Sequence, residues 1–178
     1  SSATSAGNNE WFVRELLPEL KLQAKQEGRN VYDMMDEWVE SIAPSEFVPI
    51  FLPFTMASNV HPNAKGSFIG ISYSHKRKHL VRSVFEGITF SHRYHLEKLL
   101  ATREEPAKAI RLSGGAAKAK VWVQMFADVM QLPVETLSAN ENGALGCAIA
   151  AAKATGEYKD LSEAVSHMSR ISDAVMPN

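Results

Sequence analysis

The chain has 178 residues, of which 45% are hydrophobic and 22% charged, and its formal net charge at pH 7 is −1. This composition is typical of a globular protein with a hydrophobic core, and it excludes a fibrous or intrinsically disordered chain. A nearly neutral charge without a long run of one sign gives no support for a nucleic-acid or membrane-surface partner.

Helical and strand patterns alternate along the sequence. The first third predicts a helix from Trp11 to about Gln26 with a kink at Pro18, a helix from Val31 to Ser41 and a strand within Phe47–Phe54. The middle predicts a loop from Thr55 to Lys65, a strand from Ser67 to Ser72, a helix from about Lys78 to before Pro106 and a strand from Ala109 to Leu112. The last part predicts a helix carrying Val121–Leu132, a strand at Val134–Thr136, and helices at Gly143–Thr155 and Leu161–Met168. About four short strands among longer helices indicate an α/β layered domain.

Several single residues have predicted structural roles. Asn8 or Asn9 is placed to cap the first helix, and Glu141 suits the positive end of the helix that follows it. That helix carries small residues from Gly143 to Ala152, which predicts close packing against a sheet or another helix. A nucleotide-bearing sheet beneath it and simple helix packing are both open.

Cys147 is the only cysteine, so no disulfide can form within the chain and a reducing, cytoplasmic location is expected. Its small and aliphatic neighbours predict a buried thiol. No apolar run approaches the roughly 20 residues that cross a bilayer, and Ser1–Gly7 lacks the basic and apolar regions of a signal peptide. The sequence has no initiating methionine, and a polar segment stands directly before its first helix, so we expect a fragment of a longer protein.

The stretch from Ala109 to Gln131 carries the strongest candidate site. A predicted strand turns through Gly114 and Gly115 into a predicted helix. Glycine lets a ligand approach the backbone, while the first N–H groups and the positive dipole end of a helix favour a phosphate. The pattern therefore predicts a phosphate seat at this turn. A tight turn without a ligand is the alternative, because glycine is common in turns.

Six histidines raise the question of a metal site. His75 and His79 are four residues apart, and His92 and His95 are three apart, so each pair can share a helix face. A metal site needs three or four converging ligands, and no carboxylate or cysteine at a suitable spacing completes either pair. We interpret them as solvent or interface histidines and expect no metal ligand. Nucleophile-elbow and P-loop motifs are absent from the sequence.

Four segments resemble, in order, the later part of the C-terminal domain of the FGGY carbohydrate kinases. They are SAGNNEWFVR at 5–14, GSFIGISYSHKRKHLVRSVFEGITF at 66–90, LSGGAAKAKVWVQMFADVMQLPVE at 112–135 and ENGALGCAIAAAKATGEY at 141–158. The second resembles the family's C-terminal signature, the third its nucleotide-binding strand, turn and helix, and the fourth the small-residue helix that follows. The resemblance covers nearly the whole chain.

The resemblance implies an α/β fold that is a partial RNase H-like (actin-like ATPase) lobe with few short strands and several long helices. It implies transfer of phosphate from ATP, with Mg²⁺, to a sugar hydroxyl. Gly114 and Gly115 would contact the phosphates or the ribose through backbone N–H groups. Ala119 stands at a nucleotide-binding position where the family often has Asn or Ser, although alanine cannot hydrogen-bond through its side chain. Gly7 and Glu10 fall where the family's first helix of this domain contacts the adenosine.

The resemblance also implies parts that this chain does not contain. Residues 1–178 are expected to form an incomplete C-terminal lobe, without its opening strands and without the N-terminal lobe that holds the sugar and the catalytic aspartate. Phosphoryl transfer depends on positioning and on charge neutralisation by Mg²⁺, so this chain is expected to be inactive alone. The unpaired sheet edge favours a homodimer or pairing with a partner.

The identity of the acceptor is less determined by the sequence. Within the family, Phe51–Ser58 and the SHRYH segment at 91–95 look most like the L-xylulose kinases, which favours a ketopentose, with sugar acids and glycerol still open. Two other functions remain at this point. One is an actin-like ATPase acting on a non-sugar substrate, and the other is a non-catalytic interaction or assembly module.

Overall fold

The computed structural model describes residues 6–58, 60–139 and 141–178. The helices in these ranges are α1 (Ala6–Leu16), α2 (Pro18–Glu27), α3 (Val31–Glu40), α4 (Arg77–Leu100), α5 (Lys120–Met130), α6 (Asn142–Ala154) and α7 (Leu161–Met168). The strands are β1 (Ile50–Leu52), β2 (Ser67–Ile69), β3 (Ile110–Leu112), β4 (Val134–Leu137) and β5 (Ile171–Val175). In the described ranges, none of the helices combines the length and the apolar character that crossing a bilayer requires.

The strands of the described ranges form two separate sheets. β1 and β2 make an antiparallel pair, while β3, β4 and β5 lie side by side in that order, with β3 parallel and β5 antiparallel to β4. The register aligns Ile110, Val134 and Val175 on the face that is turned to the hydrophobic core. On the other face the Nε–H of Arg111 donates to Oε2 of Glu135 at 3.0 Å. The sheet therefore has one core face and one polar face.

The longest helix, α4, crosses the hydrophobic core. Its fully buried apolar side chains are Val81, Val84, Phe85 and Ile88. The Trp122 ring of α5 stacks on Phe85 with the ring centroids 4.1 Å apart. The Trp122 indole N–H donates to the Phe85 carbonyl at 3.2 Å and to Thr89 Oγ1 at 3.0 Å. Because the buried indole N–H has acceptors, the ring can be buried without an unsatisfied donor.

Close approach of β1 to α4 depends on Gly87. A Cβ at this position would overlap the carbonyl oxygen of Phe51, so only glycine allows the two backbones to lie so near each other. The strand expected within Phe47–Phe54 forms between Pro49 and Pro53, which cannot donate to a strand ladder and so limit its length.

The first predicted helix is two helices. α2 begins at Pro18, which is accepted at the first helical position because its missing N–H has no intrahelical partner there. Leu17 lies between the helices and is 1% exposed, so the junction of the two helices is packed into the core. The cap expected from Asn8 or Asn9 is wrong, since both lie inside α1. α3 forms as predicted, and the Asn30 side chain caps it by accepting from the Tyr32 N–H at 3.0 Å.

α4 ends at Leu100, before Pro106 as predicted, whereas the chain after α7 differs from the sequence pattern. β5 was not predicted, because Ser172 and Asp173 interrupt the apolar alternation of a segment that is largely exposed at the sheet edge.

α6 is exposed along most of its length. Ile149 is its buried residue, and Cys147 is exposed, so the predicted buried thiol is wrong. No described atom lies within 4 Å of a Cβ built on Gly143 or Gly146. Gly143 and Gly146 therefore do not pack closely against another described element, although α6 as a whole contacts α7. Glu141 occupies the N-cap position without a side-chain capping hydrogen bond.

Candidate functional site

The turn after β3 exposes both of its glycines. Gly114 has φ 86° and ψ −161°, a backbone region that is essentially restricted to glycine. No described atom lies within 4 Å of a Cβ built on Gly114 or Gly115. Conformation and not crowding therefore requires glycine at position 114, and the open space leaves this backbone accessible to a ligand.

A 3₁₀ turn, Gly115–Lys118, separates the glycines from α5. Its first bond runs from the Ala117 N–H to the Gly114 carbonyl at 3.2 Å. The N–H groups of Gly115 and Ala116 precede that bond and so lie outside the pattern of the turn. The prediction that the strand turns directly into the long helix is wrong. The donors beside the glycines belong to the short turn and not to α5.

Ala119 is the N-cap residue of α5 and is 8% exposed. Its N–H donates to the Ala116 carbonyl at 3.3 Å, and its own carbonyl accepts from Trp122 and Val123. Its methyl group belongs to the core. The structure therefore gives Ala119 a place in packing and helix initiation.

A cleft of about 660 Å³ opens beside the glycine turn. Its walls come from five parts of the chain: the start of α1 with Gly7, the C-terminal half of α4, strand β3, the turn at 113–116 and the buried face of α5. Most of the lining is apolar, and its polar side chains include His92, His95 and Arg111. The cleft thus brings Gly7 together with Gly114 and Gly115, although these residues lie far apart in the sequence.

Gly7 and Glu10 occupy different positions relative to this cleft. Gly7 lines it, and a Cβ built on Gly7 would come within 2.5 Å of the sulfur of Met56. Glycine at this position therefore has a packing reason in addition to any ligand. Glu10 is exposed and is not among the residues that line the cleft.

The two histidine pairs have different surroundings. His79 Nδ1 accepts from the Lys76 N–H at 2.7 Å, so Nε2 carries the proton and lies 2.8 Å from Glu46 Oε1. That hydrogen bond holds the pKa of the Glu46 carboxyl below its ordinary value. In the cleft, burial and then the nearby His95 lower the pKa of His92, which favours the neutral ring. In the described ranges no group of three or more His, Cys, Asp or Glu residues converges as metal ligands would.

A second, smaller cleft of about 130 Å³ lies on the α6 side of the same turn. Gly114 and Lys118 line it together with Thr136 and Asn142. The Asn142 Nδ2 donates to the Ala139 carbonyl at 3.1 Å, while its Oδ1 is buried without a described partner. Sequence reasoning did not single out these polar residues, since each is ordinary for a turn or a helix start.

The larger cleft suits a largely apolar ligand better than a highly charged one. Its volume lies in the range of roughly 300–1,000 Å³ that is usual for ligand sites, and the turn offers backbone donors near apolar side chains. Arg111 is its permanently charged lining residue and is paired with Glu135. Among the described residues that line the cleft there is no Asp or Glu, so they offer Mg²⁺ none of the carboxylates that it prefers.

Known proteins resemble the chain over nearly its whole length. Residues 1–155 match the FGGY family of carbohydrate kinases, C-terminal domain. The chain is 35% identical over 164 residues to the L-xylulose/3-keto-L-gulonate kinase of Escherichia coli (strain K12), covering 92% of this chain and 30% of that protein. It is 30% identical over 148 residues to a gluconokinase of Bacillus licheniformis, covering 82% of this chain and 29% of that one.

A solved structure shares the fold. The xylulose kinase from Rhodospirillum rubrum superposes with a TM-score of 0.78 at 26% identity, over 97% of this chain and 33% of that one. The predicted α/β class and actin-like lobe are confirmed. The chain spans about 30% of the length of the curated relatives described above.

Proposed function

Because this chain belongs to the FGGY family of carbohydrate kinases, we propose that it is part of an enzyme that transfers the γ-phosphate of ATP to a sugar hydroxyl. In that enzyme the chain supplies one wall of the nucleotide site. The observation that carries this proposal is the cleft in which Gly7 and the open backbone at Gly114 and Gly115 meet.

This wall receives the nucleoside end of ATP. The N–H groups of Gly115 and Ala116 donate to a ribose or phosphate oxygen, and apolar side chains such as Ile88 and Leu96 give the base a dry surface. Mg²⁺ would neutralise the polyphosphate charge. Since none of the described lining residues is a carboxylate, the rest of the protein would supply the magnesium ligands, the catalytic aspartate and the sugar site.

Residues 1–178 form, in this proposal, an incomplete C-terminal lobe. β3 pairs with β4 on one side only among the described strands. α6 presents open glycines on its surface. In the proposed full-length protein, further strands beside β3 and the sugar-binding lobe would cover the open edge of β3 and the surface of α6. Without them the β3 edge is available for pairing with a second copy.

A ketopentose such as L-xylulose is the favoured acceptor, because the E. coli relative acts on L-xylulose. A gluconokinase also resembles the chain, so a sugar acid is the nearest competitor. We place the protein in the cytoplasm, where ATP and reduced thiols occur together. The other functions considered are a non-catalytic assembly module, favoured by the open β3 edge, and an actin-like ATPase with a non-sugar substrate.

The test measures the binding of ADP to this chain by amide NMR and by calorimetry. We expect ADP to shift the Gly114 and Gly115 amide resonances. Gly114→Ala is expected to weaken binding about tenfold, since alanine disfavours this backbone conformation by roughly 1–3 kcal/mol. Gly156→Ala is the matched control, because Gly156 also has a positive φ, 82°, in open space but lies outside the cleft. Equal effects of the two variants would contradict the proposal.

A further inference from the structure

One face of α4 forms a side of the cleft beside the glycine turn. Its lining residues recur at steps of three and four along the helix and are Ile88, His92, His95, Leu96 and Leu99. Three of these residues are aliphatic and two are histidines. The aliphatic residues have a role in the proposed function as a dry surface for the base, whereas the histidines have none.

The His92 ring has a defined position in this cleft. Its centroid lies 5.6 Å from that of the Phe126 ring, a buried residue of α5 that also lines the cleft. The next residue, Arg93, fixes this part of α4 to α5, since its Nη1–H donates to the Val129 carbonyl at 2.7 Å. A ligand in the cleft therefore meets a ring whose position is held by the packing of α4 against α5.

The surroundings of this ring favour its neutral form. Burial and then the neighbouring His95 lower the pKa of His92. Among the described lining residues of the other elements, the charged side chain is Arg111, which is paired with Glu135, while those of α1 and α5 carry no charge. A proton on His92 would thus add positive charge to a cleft that already holds a guanidinium group.

A neutral imidazole suits a purine base. It has a flat aromatic face, one donor and one acceptor, and nucleic-acid bases stack on aromatic side chains, including histidine. Ile88 and Leu96 stand one helical turn before and after His92 on the same face. A ring flanked by apolar side chains fits a base better than it fits a phosphate or a sugar.

We propose that His92 is a base-recognition residue of the nucleotide site, and that the adenine ring stacks on its imidazole between Ile88 and Leu96. This inference rests on the proposed function. Because covering a charged ring with a base would remove its hydration, the base binds the neutral form of His92 and is released when the ring gains a proton. The nucleotide wall is therefore sensitive to pH through one side chain.

The experiment titrates the wild-type chain with adenosine between pH 5 and pH 8 and follows the histidine ring resonances by NMR. Adenosine carries no phosphate, so attraction between a phosphate and a protonated histidine does not mask the effect. We expect adenosine to shift the His92 ring resonances, and its affinity to fall several-fold from pH 8 to pH 5. His167 is the internal control, because it is exposed outside the cleft, and adenosine is expected to leave its resonances unchanged.

A pair of variants tests the role of the ring itself. His92→Phe keeps a flat ring that cannot take up a proton, and His92→Ala removes the ring. At pH 8 we expect His92→Phe to bind adenosine within about twofold of the wild type and His92→Ala to bind it about tenfold more weakly, as for the loss of one base-stacking contact. His92→Phe is also expected to lose the pH dependence. A purely structural role would lower the stability of the variants without changing the pH dependence of binding.

The outcomes separate this inference from the proposed function. If ADP shifts the Gly114 and Gly115 amides but adenosine leaves the His92 ring unchanged, the nucleotide wall stands and the role of His92 is overturned. If ADP shifts neither amide, the proposed function fails and this inference fails with it. If adenosine binds equally at pH 5 and pH 8, or if His92→Phe keeps the pH dependence of the wild type, the requirement for a neutral His92 is overturned.

Discussion

At the residue scale, Gly7 and Gly114 are glycines for different physical reasons. At Gly114 the backbone conformation excludes a side chain, whereas at Gly7, inside a helix, a Cβ would meet the Met56 sulfur. The Gly-Gly pattern was enough to predict an open turn at Gly114. The Met56 contact could not be predicted, because it joins two segments that are distant in the sequence and follows no local spacing.

Asn8 gives the same lesson about side-chain chemistry. Its residue type and its place before an apolar run predicted a helix cap. The helix begins earlier, at Ala6, and the side chain turns to Thr55 instead. Asparagine serves both roles with the same acceptor oxygen, so the sequence identified the chemistry but not the partner.

The raised pKa of Asp36 predicts that the folded chain loses stability as the pH rises. Burial, and then the negative charges of Asp33 and Glu40, raises the pKa of this carboxyl from 3.8 to about 6. Between these two pH values the folded chain holds a proton that the unfolded chain releases, so folding stability falls as the pH rises through this window. Asp36→Asn is expected to stabilise the chain by about 1 kcal/mol at pH 7, after allowance for solvent screening.

Urea unfolding between pH 4 and pH 7.5 measures this effect. The wild type is expected to lose stability across the window, and Asp36→Asn to show a flatter profile. Glu157→Gln, at an exposed position, serves as the control for removing a carboxylate. Parallel profiles for the wild type and Asp36→Asn would show that Asp36 is not the titrating group.

At the scale of elements, the spacing of apolar residues predicted the helices better than it predicted the short strands. α3 lies where its apolar spacing placed it, and the Asn30 cap is seen only in the structure. β5 has five residues with two polar ones among them, so its alternation is too short to identify. The 3₁₀ turn GAAK consists of residues that also suit an α-helix, which explains why α5 was expected to begin directly at the glycines.

β3 has one paired edge and one open edge. The Ile110 N–H donates to the Pro133 carbonyl at 2.8 Å. Backbone groups alternate in direction along a parallel strand, so Arg111 directs its N–H and C=O away from β4, to the side where no described strand lies. An open edge of this kind is a template for another strand.

Arg111→Pro is expected to reduce self-association of the chain. Proline removes the N–H that points from the open edge but leaves the Ile110 bond to β4 intact. Sedimentation velocity over a range of concentrations measures the effect. Arg111→Thr is the matched control, since both variants lose the ion pair with Glu135 and only the proline lacks the edge N–H. Equal association of the two variants would exclude this edge as the contact surface.

At the scale of the whole molecule, four short segments in the right order were enough to predict the fold, because a family is recognised by their combination. The shape of the cleft was not predictable in this way. The cleft is lined by the start of α1, the turn after β3, α4 and α5. Which of these elements come together depends on the packing of the core and not on any single segment.

The chain alone is expected to release no ADP above background from ATP and Mg²⁺ with L-xylulose, gluconate or glycerol. The residues that the structure describes around its cleft include no carboxylate to accept the proton of a sugar hydroxyl. A coupled assay of ADP release measures this, with an intact FGGY kinase as the positive control. Sugar-dependent turnover by the chain alone would disprove the division of labour that we propose.

The sole thiol of the chain is accessible on α6, and this has a practical consequence. A maleimide dye reacts at one defined position without any engineering of the sequence. α6 presents open glycines beside Cys147. The fluorescence of such a dye would therefore change when another polypeptide binds over that helix, in real time and independently of any bound nucleotide.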